Sequence, residues 1–138
     1  MIEEQKKRGR PRKYATDAET VAVNRKKTKE WFNNTKEGRA YRLARNYKET
    51  DKRHRRGDST ITAQWIIDNI FNSKCHWCGE TDWKELGCDR IDNTKPHTPD
   101  NVICSCCKCN KERSIHSIDY FTKFQRSKLN KAEQLRLF

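Results

Sequence analysis

No stretch of this 138-residue chain approaches the ~20 consecutive apolar residues of a membrane-spanning helix, which excludes that class. Apolar material is scarce throughout: 33% of residues are hydrophobic and 36% are charged. So little cannot fill a large core, and small cores usually need a staple such as a metal. The start, Met1-Ile2-Glu3-Glu4-Gln5, is polar and carries no secretory signal. No internal repeat is present. These absences point to an intracellular, cytoplasmic chain with no membrane partner, in which cysteines stay reduced.

Charge balance is also missing. The formal net charge is +12, and the first 57 residues hold 19 Lys and Arg against eight Asp and Glu. That half is a polycation and the remainder is close to neutral, a pattern that attracts a phosphate backbone. Within it, Arg8-Gly9-Arg10-Pro11 has the form of an AT-hook core, flanked by Lys6, Lys7, Arg12 and Lys13. A flat Gly-Arg-Pro segment can lie in a narrow minor groove with its arginines pointing inward. The partner expected is double-stranded DNA, met by Arg8, Arg10, Arg12 and Lys13 and by a basic helix carrying Arg39, Arg42 and Arg45.

Local signals place the elements. Residues 1–15 read as disordered. Thr16 and Glu19 form a capping box opening a helix over about 17–34. Gly38 breaks that pattern, and a second helix follows over about 39–54, with Tyr41 and Tyr47 facing inward. Thr62 caps a short helix whose Trp65, Ile66, Ile70 and Phe71 are core. Leu86 to Ile91 reads as a strand and Val102 to Cys104 as its returning partner, the loop between them containing Pro96 and Pro99. A helix should begin near Asn110, and Ser117 should cap the last one, with Ile118, Phe121, Phe124, Leu129, Leu135 and Leu137 apolar. Two domains follow: a DNA-binding arm over 1–57 and a second unit over 58–138.

Seven cysteines are present, and four stand as Cys75-x-x-Cys78 and Cys106-x-x-Cys109. Each such turn delivers two thiolates to one point, and two turns complete the tetrahedron zinc prefers. Four thiolates leave no open position, so the zinc is structural. Cys104 or Cys107 could replace Cys106, but the spacing to Cys109 favours Cys106. Cys88, Cys104 and Cys107 are then packed thiols, and His76 a surface residue.

Between the pairs lie Asp89-Arg90-Ile91-Asp92 and His97-Thr98-Pro99-Asp100-Asn101, and after them Asn110 and Arg113. In this order the motifs resemble the HNH endonucleases over roughly residues 60–120, and in particular the zinc-bearing branch, found in phage homing endonucleases and some small restriction enzymes, that has Asp-Arg in place of Asp-His. The resemblance implies an α+β fold, a small zinc-stapled ββα-metal finger with flanking helices, in a phage- or bacterium-encoded DNA endonuclease. It also implies that Asp89 and Asn110 bind Mg²⁺ or Mn²⁺ and that Asn101 braces the loop. Such oxygen ligands suit those ions. Arg90 stands where the family has its histidine base; it keeps its proton but fits a phosphate. His97 is the base chosen here, ahead of His116, while His54 is read as a phosphate contact. Asp92 either orients Arg90 or caps a turn. The expected catalytic group is thus Asp89, Arg90, His97, Asn101 and Asn110.

The alternative is a zinc-stapled DNA-binding regulator in which Arg90 marks a decayed nuclease. An RNA-binding zinc knuckle is disfavoured, for want of exposed aromatic stacking positions. The apolar end Leu135-Arg136-Leu137-Phe138 either joins two protomers or completes the core.

Overall fold

The computed structural model of the protein describes Lys13 and residues 16–124. The reading of 1–15 as disordered, the contacts of Arg8, Arg10 and Arg12, and the packing or dimer role of Leu129 and Leu135 to Phe138 lie outside the described residues.

The first helix, α1, runs Asp17–Asn34. It opens on the expected capping box, Thr16 and Glu19 each satisfying the other's main-chain N–H. No residue of α1 is buried. The second helix, α2, spans Lys36–Arg53. The break between them lies at Thr35 rather than Gly38. Extended backbone at Thr35 stops α1, and its hydroxyl accepts from the Gly38 N–H and so caps α2.

Gly38 is where the two helices touch. A β-carbon there would sit 2.2 Å from the Trp31 carbonyl oxygen, which is rigid backbone. Gly38→Ala should therefore push α1 away from α2 and cost about 1–3 kcal/mol. Urea denaturation checks this, and an unchanged midpoint would show that the helix pair yields freely.

Thr62 caps the short helix α3, Ala63–Ile66, which widens into a π-helical turn over Ile67–Phe71. Strand β1, Leu86–Arg90, pairs antiparallel with β2, Val102–Cys106, with Asp89 opposite Ile103. Helix α4 is Cys107–Arg113 and starts three residues earlier than expected, because the Cys106 sulfur itself caps it by accepting the Cys109 N–H. Residues 118–124 are again helical (α5), with the Ser117 hydroxyl accepting the Tyr120 N–H at its start. The outcome is mixed helices around one two-stranded sheet, as the α+β reading expected.

The core lies where α2, α3 and β1 meet. Ile66, Ile70, Phe71, Leu86 and Val102 are buried there together with Cys75, Cys88, Cys106 and Cys109. From α2 come buried Ala40 and half-buried Leu43, Ala44 and Tyr47. The boundary expected at residue 57 cuts through this core, because α2 packs on the finger and is no detached arm.

Two aromatic readings change. Tyr47 is packed, but Tyr41 is 51% exposed and joins Trp31, 42% exposed, in an aromatic cluster on the outer end of the α1–α2 hairpin. Exposed aromatic positions thus exist that the sequence did not disclose. No helix among the described residues is long and apolar enough to cross a membrane.

Candidate functional site

Cys75, Cys78, Cys106 and Cys109 converge. Their sulfurs all lie within 4.8 Å of one another, and Cys78 and Cys106 stand 3.7 Å apart. A tetrahedron of zinc–sulfur bonds has edges of about 3.8 Å, so the cluster has the dimensions of a zinc site. Local structure builds it. Gly79, at a left-handed φ of 80°, turns the chain after the first pair. The His76 N–H donates to the Cys104 carbonyl and fastens that turn to β2. At Cys75, burial opposes ionisation, but N–H donors from Cys78, Cys106 and Trp77 outweigh it and bring the thiol down to about 7. The four-cysteine cluster can bind zinc.

The choice of Cys106 over Cys104 and Cys107 agrees with this geometry. Cys88 is a packed thiol, pushed by burial up to about 12. Cys104 is half-buried and raised by burial to about 11. Cys107 departs from the packed-thiol reading: it is exposed and lines the cleft described next. His76 is on the surface, as expected.

That cleft, of about 390 Å³, lies over β1 between α2 and α4. Asp89, Arg90, His97 and Asn110 all line it, and so does Arg56. Asn110, near the middle of α4, is exposed and makes no side-chain hydrogen bond to the described residues.

Asp89 is buried and engaged. Arg113, fully buried at the end of α4, donates from Nε and Nη2 to its two carboxylate oxygens, both at 2.8 Å. The same guanidinium also donates to the carbonyls of His116 and Arg90. A carboxylate oxygen can accept more than one bond, so each keeps a lone pair for a cation beside Arg113. The chemistry of the donor set, one carboxylate and one free carboxamide on the same cleft, fits a hard divalent ion. Arg113 stands within the sequence motif with no role assigned to it, because a charged residue in the last turn of a short helix carries no signal of burial.

Asn101 lies at the end of the loop between the strands. Its carboxamide donates to the Asp92 and Pro96 carbonyls and accepts the Asp92 N–H, so both ends of the 91–101 loop are tied to one side chain. Asp92 caps the turn, accepting from the Thr94 N–H and hydroxyl, and does not orient Arg90. Arg90 instead donates to the loop carbonyls of Asn93 and Lys95.

His97 is buried in that loop against α2. Its main-chain N–H and its Nδ1 both meet Asp51 Oδ2, at 2.7 and 2.9 Å, and its ring stacks on Tyr47 at a centroid distance of 4.1 Å. Burial lowers its pKa, against the pull of Asp51, and Arg90 and Arg56 add to the lowering. His54 and His116 are exposed, and neither lines the cleft. Asp51, which the sequence reading passed over, is fully buried, with Arg56 Nη1 3.6 Å from its other oxygen.

The basic row on α2 is not free. Arg39 reaches across and donates to the Trp83 and Leu86 carbonyls, so it clamps α2 to β1. Arg42 bonds Asn33 of α1, and Arg45 pairs with Glu49 one turn on. Lys13 is exposed.

Comparison with known proteins gives three results. Residues 5–17 match the AT hook motif. No curated protein matches the sequence. The fold is similar to a solved structure of the rare-cutting HNH restriction endonuclease PacI, at 18% identity and a TM-score of 0.52, over 70% of this chain and 80% of that one.

Proposed function

We propose that this protein is a metal-dependent DNA endonuclease that hydrolyses phosphodiester bonds, of the kind found among phage homing enzymes. The observation that carries the reading is that Asp89, Asn110, Arg90 and His97 line one cleft on a ββα unit that also carries the four-cysteine cluster. The AT hook match at residues 5–17 and the fold's likeness to an HNH restriction endonuclease support it.

In this reading Asp89 and Asn110 hold Mg²⁺ or Mn²⁺, which would polarise the scissile phosphate and stabilise the leaving oxygen. Arg90 and Arg56 offer fixed positive charge to the phosphate oxygens. Asn101 keeps the loop bearing His97 in place. His97, neutral because burial lowers its pKa, accepts the proton of the attacking water. The hook holds AT-rich duplex by its minor groove. The finger holds one set of these residues, so a double-strand break needs either two protomers or two successive cuts.

One observation favours the alternative, a non-catalytic zinc-stapled DNA-binding regulator: both Asp89 oxygens already accept from Arg113. Supercoiled plasmid and AT-rich phage DNA, incubated with Mg²⁺ or Mn²⁺, separate the two. The nuclease reading expects nicked or linear product with wild type, a loss of at least about 100-fold with His97→Ala, and a similar loss with Asn110→Ala. Intact DNA that is nevertheless retarded in a gel would leave the regulator.

A further inference from the structure

We propose that Asp51 on α2 is a positioning residue for His97, holding it in the tautomer whose proton sits on Nδ1 so that Nε2 is left bare. The inference rests on the reading of His97 as proton acceptor, and it brings a helix first taken for a DNA-binding arm into the cleavage machinery.

The geometry is that of a carboxylate built around an imidazole. Asp51 is 0% exposed, and a buried carboxylate is costly unless it is bonded. Its Oδ2 accepts the main-chain N–H of His97 and lies 2.9 Å from Nδ1, so the carboxylate fixes where the residue sits and how its ring is turned. Tyr47, one helical turn earlier on α2, lies nearly parallel to the ring, with an interplanar angle of 14°, and blocks a ring flip. A carboxylate can only accept, so the proton is on Nδ1 and Nε2 carries the free lone pair. Nε2 has no hydrogen-bond partner among the described residues, and His97 lines the cleft.

Tyr47, Arg90 and Arg56, which surround His97 in the cleft, cannot take this part. The Tyr47 hydroxyl accepts the Cys88 N–H, and burial drives its pKa well above the ordinary value, so it remains a neutral phenol. Arg90 and Arg56 keep their protons. These two guanidiniums, with Asp51 and Tyr47, are the charged and titratable groups facing His97. The arginines disfavour an imidazolium and Asp51 favours one. Asp51 thus does two things: it selects the nitrogen, and it stabilises the cation formed when that nitrogen takes a proton from water.

A merely structural Asp51, tying the loop to α2, would make the same contacts but would not govern tautomer or pH profile. Histidine-labelled full-length protein, studied by long-range ¹H–¹⁵N NMR, reads the tautomer directly. At neutral pH wild type should show His97 protonated at Nδ1. Asp51→Ala, which removes the acceptor from Nδ1, should abolish that preference and let the proton populate Nε2. In the plasmid assay Asp51→Asn should lower kcat at least about 100-fold with KM nearly unchanged. Wild-type activity should rise with pH through a pKa below the ordinary ~6.5 of histidine, because the base must be unprotonated. In Asp51→Asn that limb should move lower still, since the anion that raises the pKa is gone. A wild-type His97 protonated at Nε2, or an Asp51→Asn enzyme with unchanged kcat and pH profile, overturns the proposal. Should Asp51→Asn fail to fold, the wild-type tautomer alone decides. If wild type cuts no DNA, the nuclease reading falls, while the spectrum still decides what Asp51 does to the ring.

Discussion

Stripping the metal from the four-cysteine site, or replacing Cys106 by Ser, should unfold the finger rather than simply silence it. Cys75, Cys106 and Cys109 are themselves part of the buried core, so their coordination and the packing of Ile66, Leu86 and Val102 form one structure. Without the ion, thiols held within 4.8 Å lose the bond that offsets their crowding. Burial raises the Cys109 thiol far above its ordinary range. Structural zinc in comparable small modules supplies about 10–16 kcal/mol of apparent binding energy, comparable to the whole stability of an ordinary domain. The expected result is one zinc per chain by metal analysis, and loss of near-ultraviolet circular dichroism and of any cooperative melting transition on chelation. Cys107→Ser is the control: exposed and outside the cluster, it should keep both metal and fold. A chelated protein that still melts cooperatively would show that the apolar core suffices alone.

The zinc ligands were legible because their rule is local: two residues between paired cysteines fix two sulfurs, whatever surrounds them. The same holds for the capping box at Thr16 and Glu19, whereas the brace at Asn101 is implied only by the resemblance to a family. What escaped the sequence was long-range. Gly38 reads as a helix breaker along the chain, yet in space it is the gap that lets the Trp31 carbonyl approach. Arg39 reads as one of a row of DNA-facing cations, yet its guanidinium finds two carbonyls more than 40 residues away. Asp51, amid Lys52, Arg53, Arg55 and Arg56, reads as one acid in a basic run. Only folding shows that it points inward, because the register of α2 against the finger is set by Ala40, Leu43 and Tyr47 packing on the core. Charged side chains carry no periodic signature of burial, so the arginine and the carboxylates that organise the cleft look, in sequence, like solvated ones.

Asp89→Ala should have two separable effects, and the separation decides what this carboxylate is for. The first is on stability. Arg113 is fully buried and meets Asp89 through two 2.8 Å bonds, so removing the acid strands a guanidinium in the interior. Breaking such a pair by deleting one partner typically costs about 3–5 kcal/mol, which urea denaturation would register as a large fall in midpoint. The second is on the proposed cleavage, where loss of the carboxylate proposed to hold the metal should reduce the rate by at least about 1,000-fold. An unstable variant that does not cut proves little, so the pair must be removed together. In Asp89→Leu with Arg113→Met, apolar side chains of similar volume replace both charges, and the buried-charge penalty disappears with them. Most of the lost stability should return while cleavage stays absent, if the acid holds an ion as well as the arginine. Full cleavage by this double variant would reduce Asp89 to a structural partner of Arg113 and remove the metal site from the cleft. Wild-type binding to AT-rich duplex should persist in the double variant, because neither substitution falls within residues 5–17, which match the AT hook motif.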